Sequence, residues 1–396
     1  MKRTILHVDL DAFFCSVEEL RDTELIGKPF VVGGSAEGRG VISSASYAAR
    51  EYGIRSAMPT ARALNLCRDL IVLPARHRIY SEHSRKVMSL LRDSAPVVEQ
   101  ISIDEAFLDV SDDPRGGPQV ALDLKNEIQD RFKLRTSWGI ANNKLVAKIA
   151  TEVGKPDGLV FVPHGEEAAF LAPLPVGMLW GVGPKTQTRL AEHGVRTIGD
   201  LAMMSSSILE GLFGEHGLDL ATKAKGIDKR PVTDERETHS MSSERTFERD
   251  IADESELSSI LLQLCGNVGQ RLRAEELAGE TVRIKLRWPD FSTLTRQTKL
   301  EQPTDQDGEI YQAAMELFKR VWRKGRPVRL LGVGVSDLGP PIRQLALFSQ
   351  SWEQDGRLLK AIDEIRAKYG SSALLRGGVL KRRYKRKPSS EKKDRN

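Results

Sequence analysis

Val97-Val98-Glu99-Gln100-Ile101-Ser102-Ile103-Asp104-Glu105-Ala106-Phe107-Leu108-Asp109-Val110 decides how the first half of this 396-residue chain folds. Two short runs rich in β-branched and apolar residues, Val97–Ser102 and Ala106–Val110, flank an acidic break. This is the pattern of a β-hairpin. Neighbouring strand residues point to opposite faces. Asp104 and Glu105 could therefore not face one site from the middle of a flat strand. At a hairpin turn the backbone bends, and both can converge. A second acidic segment, Ile5-Leu6-His7-Val8-Asp9-Leu10-Asp11-Ala12-Phe13-Phe14, ends another hydrophobic strand ninety-five residues before Asp104.

Outward from the hairpin, the spacing predicts a strand over Thr4–Asp9 and a helix from Phe13 that carries Val17 and Leu20. A helix over Ser81–Arg92 has Val87, Leu90 and Leu91 on its apolar side. In Gln119–Phe132, Val120, Leu124, Ile128 and Phe132 recur every fourth residue, which gives one apolar stripe. Thr136–Ala141 reads as a strand and Lys144–Val153 as a helix. Strand, helix, hairpin, helix, strand is the split βαβ, ferredoxin-like order. Residues 13–75 interrupt it as an insertion rich in Gly, Ala and Ser. The expected class is α+β with several domains, which also suits the length.

Composition narrows the setting. Forty per cent hydrophobic content is ordinary for a globular protein. No signal peptide and no membrane-spanning apolar run are visible. Cys15, Cys67 and Cys265 are scattered, fit neither a disulfide framework nor a zinc site, and suit a reducing cytoplasm. The net charge of +5 is uneven. Residues 376–396 carry ten Lys/Arg against two Asp/Glu, a net +8, so residues 1–375 carry −3. Any nucleic-acid surface must therefore be local.

Ionised carboxylates beside β-branched runs are costly unless a cation lies between them. Mg²⁺ takes hard oxygen ligands and keeps positions open for water and phosphates. Two such ions stabilise both the attacking and the leaving oxygen of a phosphoryl transfer. Either acidic segment alone could equally be solvated charge at a strand end.

Together, Asp9-Leu10-Asp11-Ala12-Phe13-Phe14 and Ser102-Ile103-Asp104-Glu105-Ala106-Phe107 resemble the Y family of translesion DNA polymerases, more narrowly its bacterial DNA polymerase IV branch. Val41 to Pro59, Gly139 to Gly158, Gly181 to Leu201 and Val328 to Leu338 follow in the family's order. The resemblance spans roughly residues 3–348.

It implies a right-hand polymerase: a ferredoxin-like palm (1–12 and 76–164), small fingers (13–75), a helix-hairpin-helix thumb (165–230), a linker (231–241) and an α+β little finger (242–340). It implies that Asp9, Asp104 and Glu105, with the Leu10 carbonyl, bind two Mg²⁺ ions. Asp11 is left out of that set. Ser44, Tyr47, Arg50 and Lys155 match triphosphate contacts. Hydroxyls and fixed cations are what a triphosphate requires. Phe14 matches the steric gate that excludes a 2′-hydroxyl, and Phe13 is read as core. Val41 and Ser43 would roof the nascent base pair. The implied activity is low-fidelity, DNA-templated DNA synthesis without proofreading, by a monomer using primer–template DNA and deoxynucleoside triphosphates. The alternative is a catalytically inactive scaffold of the same family.

Gly181-Val182-Gly183-Pro184, with helices around Leu190 and from Ile198, is helix-hairpin-helix chemistry, in which backbone N–H groups meet phosphate without reading sequence. A plain αα-hairpin would look similar. Along Thr281–Trp288, Arg283, Lys285 and Arg287 alternate with Val282, Ile284, Leu286 and Trp288, so one sheet face is basic and the other apolar. Thr293, Thr295, Gln297 and Lys299 repeat a polar face on the expected neighbour. Such a face suits a phosphate backbone, though an ordinary solvated face has the same pattern. Gln344-Leu345-Ala346-Leu347-Phe348 resembles a sliding-clamp-binding peptide. Leu358, Leu359, Ile362, Ile365 and Tyr369 beyond it suggest an amphipathic helix able to fold back and compete for that peptide, before a basic tail from Leu380.

Overall fold

The computed structural model describes residues 3–234, 237–342, 350–370 and 373–374. Gln344, Leu345, Leu347 and Phe348 lie outside the described residues, as does the tail from Leu380. The chain forms two compact units, Met1–Arg236 and Glu237–Asn396. The division falls inside the polar stretch 231–241. No helix among the described residues is long and apolar enough to cross a membrane.

The first unit is built on a five-stranded sheet in the order Val97–Gln100, Glu105–Asp109, Ile5–Leu10, Thr136–Ala141, Leu159–Phe161. The first three pairings are antiparallel and the last is parallel. The four-strand portion is the split βαβ arrangement that the sequence predicts, with one parallel strand added at its edge. Ile5–Leu10 is buried along its whole length because it has a strand on either side and helices over both faces. The helix Gly117–Phe132 buries Val120, Leu124 and Ile128 of the predicted stripe, while Phe132, its fourth member, is half-buried. The helix His77–Ser94 begins four residues before the expected start; His77 and Arg78 are polar and exposed, while Ile79 and the fully buried Tyr80 join its apolar side. Leu20, expected on the apolar side of Phe13–Arg21, is 38% exposed, whereas Phe13, Cys15 and Val17 are buried.

Gly139 sets the spacing that matters most for the site. A Cβ there would lie 2.0 Å from the Ala147 carbonyl oxygen and 2.5 Å from the Thr151 nitrogen. The bare glycine lets the helix Lys144–Gly154 rest directly on the strand Thr136–Ala141. Asn143 caps that helix by accepting from the Val146 N–H at 3.0 Å.

The insertion has its own three-stranded sheet, in the order Ile42–Ala45, Phe30–Gly33, Ile71–Leu73, over a small core of Val31, Ile42, Ala49, Ile54 and Ala63. Its leading helix, Phe13–Arg21, shares the larger core with Leu6, Val8 and Tyr80. Toward the end of the unit come short helices, among them Pro184–Ala191 and Ile198–Met203. Thr197 and Asp200 form a capping box at the start of the second.

The second unit has a four-stranded antiparallel sheet in the order Thr293–Thr304, Ala278–Arg287, Val328–Gly339, Ser240–Ile251. The helices Glu254–Ala274 and Asp307–Val321 cover one face, burying Val282, Ile284 and Leu286. The helix Gln350–Tyr369 exists as predicted, but its apolar stripe is mostly in solvent. Leu359 is buried, while Leu358, Ile365 and Tyr369 are exposed. Asp363 fastens this helix to the unit by accepting from Arg273 Nε at 2.7 Å.

Candidate active site

The strand register brings the two acidic segments together. Asp9 pairs directly with Glu105 across the sheet, and the Leu10 N–H donates to the Asp104 carbonyl at 3.0 Å. Asp104 stands just before the strand Glu105–Asp109, in the bend. The Ser102 hydroxyl donates to Asp104 Oδ1 at 2.5 Å and accepts the backbone N–H groups of Asp104 and Glu105. The turn thus sets the backbone of Asp104 and Glu105 beside that of Asp9 and Leu10.

The helix seated over Gly139 supplies the opposing charge. Lys155 Nζ donates to Asp9 Oδ2 at 2.7 Å, and Lys148 Nζ donates to Glu105 Oε1 at 2.7 Å. Burial pushes the Asp9 carboxyl up to about 7; Lys155 pulls it back only in part, and its bond to Glu105 adds to the rise. Burial also raises Asp104. Glu105 goes the other way. Burial pushes it up, but the hydrogen bond and charge of Lys148 outweigh that and hold it below its ordinary value.

No group of three His, Cys, Asp or Glu side chains among the described residues is already gathered as a metal cage. The donor set nonetheless fits Mg²⁺. It consists of hard carboxylate oxygens that repel one another, sit largely out of water and draw two lysines as counter-ions. Asp11, two residues from Asp9, has a different occupation. Its Oδ1 accepts from the Tyr47 hydroxyl at 2.9 Å, its Oδ2 accepts from the Asp157 N–H at 2.8 Å, and Ser137 donates to both oxygens.

Tyr47 is thereby held at the edge of the carboxylate cluster. The Arg50 guanidinium lies 4.5 Å over its ring, and Arg50 Nε donates to the Ala45 carbonyl. The charges of Arg50 and Lys155 both act on the Tyr47 hydroxyl. Ser44 is buried and neighbours the Cys15 thiol, whose pKa burial pushes up to about 12. Phe14 is half-buried and packs on Tyr80, while Phe13 is core. Val41 and Ser43 are exposed.

Sequence reasoning passed over Lys148. It also passed over Lys144, which grips Glu99 through both carboxylate oxygens. The available signal was their i, i+4 spacing on a predicted helix. Their acidic partners are 43 and 45 residues away.

Gly181 adopts φ +107°, a conformation that favours glycine. Nothing lies within 4 Å of a Cβ built on Gly183, which leaves that backbone open to approach. On the second unit, Arg283, Lys285 and Arg287 stand opposite Gln297, Thr295 and Thr293, the neighbours predicted. The basic stripe is partly neutralised. Lys285 reaches Glu244 at 2.8 Å over Gly332, the residue between them in the sheet register.

Residues 8–152 match the impB/mucB/samB family, residues 238–347 that family's C-terminal domain, and residues 164–195 the IMS family HHH motif. The chain is 42% identical over 377 residues to a DNA polymerase IV of Desulfatibacillum aliphaticivorans, covering 93% of this chain and 95% of that one. It is 36% identical over 389 residues to a DNA polymerase IV of Bacillus velezensis, covering 96% and 94%. Among solved structures it resembles a Y-family DNA polymerase chimera, Dbh-Dpo4(243-245)-Dbh. The TM-score is 0.75 at 27% identity, over 85% of this chain and 99% of that one.

Proposed function

The chain belongs to the Y family of DNA polymerases, in its DNA polymerase IV branch, and on that premise we propose that Asp9, Asp104 and Glu105 are the ligands of two Mg²⁺ ions. The protein is a DNA-directed DNA polymerase of the translesion type, binding template DNA and nucleotide. The observation that carries the assignment is the direct pairing of Asp9 with Glu105, with Asp104 in the adjoining bend. The intact carboxylates argue against the inactive-scaffold alternative.

When bound, the divalent ions supply positive charge to the attacking and leaving oxygens of nucleotidyl transfer. The chain's own residues do the rest. Lys155 and Lys148 hold Asp9 and Glu105 here, and would be released were those carboxylates to hold the ions. Lys155, with Tyr47 and Arg50, then faces the triphosphate. Ser44 joins them. The Phe14 ring lies under the sugar and excludes a 2′-hydroxyl. Gly181 and Gly183, with the stripe of Arg283, Lys285 and Arg287, take the DNA backbone. Gln344, Leu345, Leu347 and Phe348 bind the sliding clamp, and the protein acts as a monomer in the cytoplasm.

Primer extension with purified protein, with and without Mg²⁺, tests the reading. Asp104→Ala should abolish nucleotide transfer while leaving primer–template affinity nearly intact. Near-wild-type extension by that variant would falsify the ligand assignment.

A further inference from the structure

Glu18 is 1% exposed, yet nothing in the chemistry above uses it. It lies four residues after Phe14 on the helix Phe13–Arg21, so the two side chains share a face. Tyr80, on the helix His77–Ser94, meets both. Its ring stacks on Phe14 with centroids 4.2 Å apart and planes 15° from parallel. Its hydroxyl donates to Glu18 Oε1 at 2.6 Å. The other carboxylate oxygen accepts from Arg76 and has Arg21 3.7 Å away. His77 closes the arrangement edge-on, its ring 6.0 Å from that of Phe14.

Stack and hydrogen bond constrain the ring in different directions. A stacked pair fixes the plane of a ring but resists sliding only weakly. The hydroxyl bond to Glu18 pins Tyr80 along the stack. Glu18 in turn cannot drift, because a buried carboxylate that loses its donors is strongly penalised. Stiffness matters because a steric barrier rejects a 2′-hydroxyl only as strongly as the ring resists being pushed aside. If the ring yields, the clash costs no more than the displacement.

We propose that Glu18, acting through Tyr80, positions the Phe14 ring and so sets how strongly ribonucleotides are rejected. Glu18 and Tyr80 are positioning residues and touch no reacting atom. The inference rests on the reading of Phe14 as the steric gate.

The test is single-turnover incorporation of matched ribo- and deoxynucleotides by the full-length protein with Mg²⁺, in Phe14→Ala, Tyr80→Phe, Tyr80→Leu, Glu18→Leu and the double variant Phe14→Ala/Tyr80→Leu. The readout is the ribo/deoxy rate ratio. Lost folding lowers both rates together and leaves the ratio unmoved. Tyr80→Phe and Glu18→Leu should each raise the ratio about two- to tenfold, the range spanned by one aromatic pair. Tyr80→Leu should raise it at least as far, and should add nothing once Phe14 is alanine, because coupled residues are not additive. An unchanged ratio in Phe14→Ala sinks the steric-gate reading itself. A raised ratio there, with wild-type ratios in Tyr80→Phe or Glu18→Leu, or with additive effects in the double variant, overturns this inference alone.

Discussion

Lys155 Nζ sits 2.7 Å from Asp9 Oδ2 and 2.9 Å from Glu152 Oε2, so one ammonium bridges the catalytic strand and the helix beside it. Burial lowers its affinity for a proton, but the Asp9 charge more than offsets this and raises its pKa. Asp9 remains raised to about 7 all the same. In the unfolded chain it titrates near 3.8. Between about pH 4 and pH 7 the folded, metal-free protein therefore binds the extra proton, and stability falls as pH rises. Denaturant unfolding in chelator should show this decline in wild type and a shallower one in Asp9→Asn. Parallel pH profiles would exclude Asp9 as its source.

Gly139→Ala should destabilise the first unit by about 1–3 kcal/mol, because the added Cβ meets backbone atoms that cannot rotate away. The check is the denaturant midpoint, which should drop without a change in m-value. Activity per folded molecule should fall as well, since Lys148 and Lys155 ride on the displaced helix.

Changing Arg283, Lys285 and Arg287 together to alanine should weaken DNA binding whatever the sequence. The log–log salt slope should become shallower by up to about 0.9 for each phosphate left without its cation. Glu244→Ala releases Lys285 from its partner and should shift affinity the opposite way. A salt slope identical to wild type in the triple variant would mean that this face does not meet phosphate.

Leu347→Ala with Phe348→Ala should remove most of the affinity for the sliding clamp, since a few apolar anchors usually dominate such interfaces. Extension of a short primer without clamp should persist. Clamp-stimulated synthesis surviving in the double variant would reduce the motif to coincidence.

The palm was legible because its strands and helices announce themselves by period. The hairpin and the stripe Val120, Leu124, Ile128 needed only local spacing, and the position of Asp104 and Glu105 followed from the turn. What the sequence left hidden depends on partners far along the chain. Asp11 is occupied by Tyr47, Ser137 and Asp157, up to 146 residues away. Glu18 meets Tyr80 across 62 residues. Ser44 carries the right chemistry for a phosphate but is buried beside Cys15, a neighbour that composition cannot reveal. The stripe of the helix Gln350–Tyr369 is real as a period, yet periodicity says nothing of whether a neighbour covers it; there Leu359 is covered and Leu358 is not.

Asp9 belongs to a strand bonded along both edges and closed on both faces. Amide protons of Leu6 to Asp9 should accordingly be among the last to exchange with heavy water, since opening them requires nearly global unfolding. The contrast is with Val41, which is 49% exposed. The strand that carries Asp9 should thus be the last part of the unit to open, whereas Val41 and Ser43, the proposed roof over the base pair, stand in solvent.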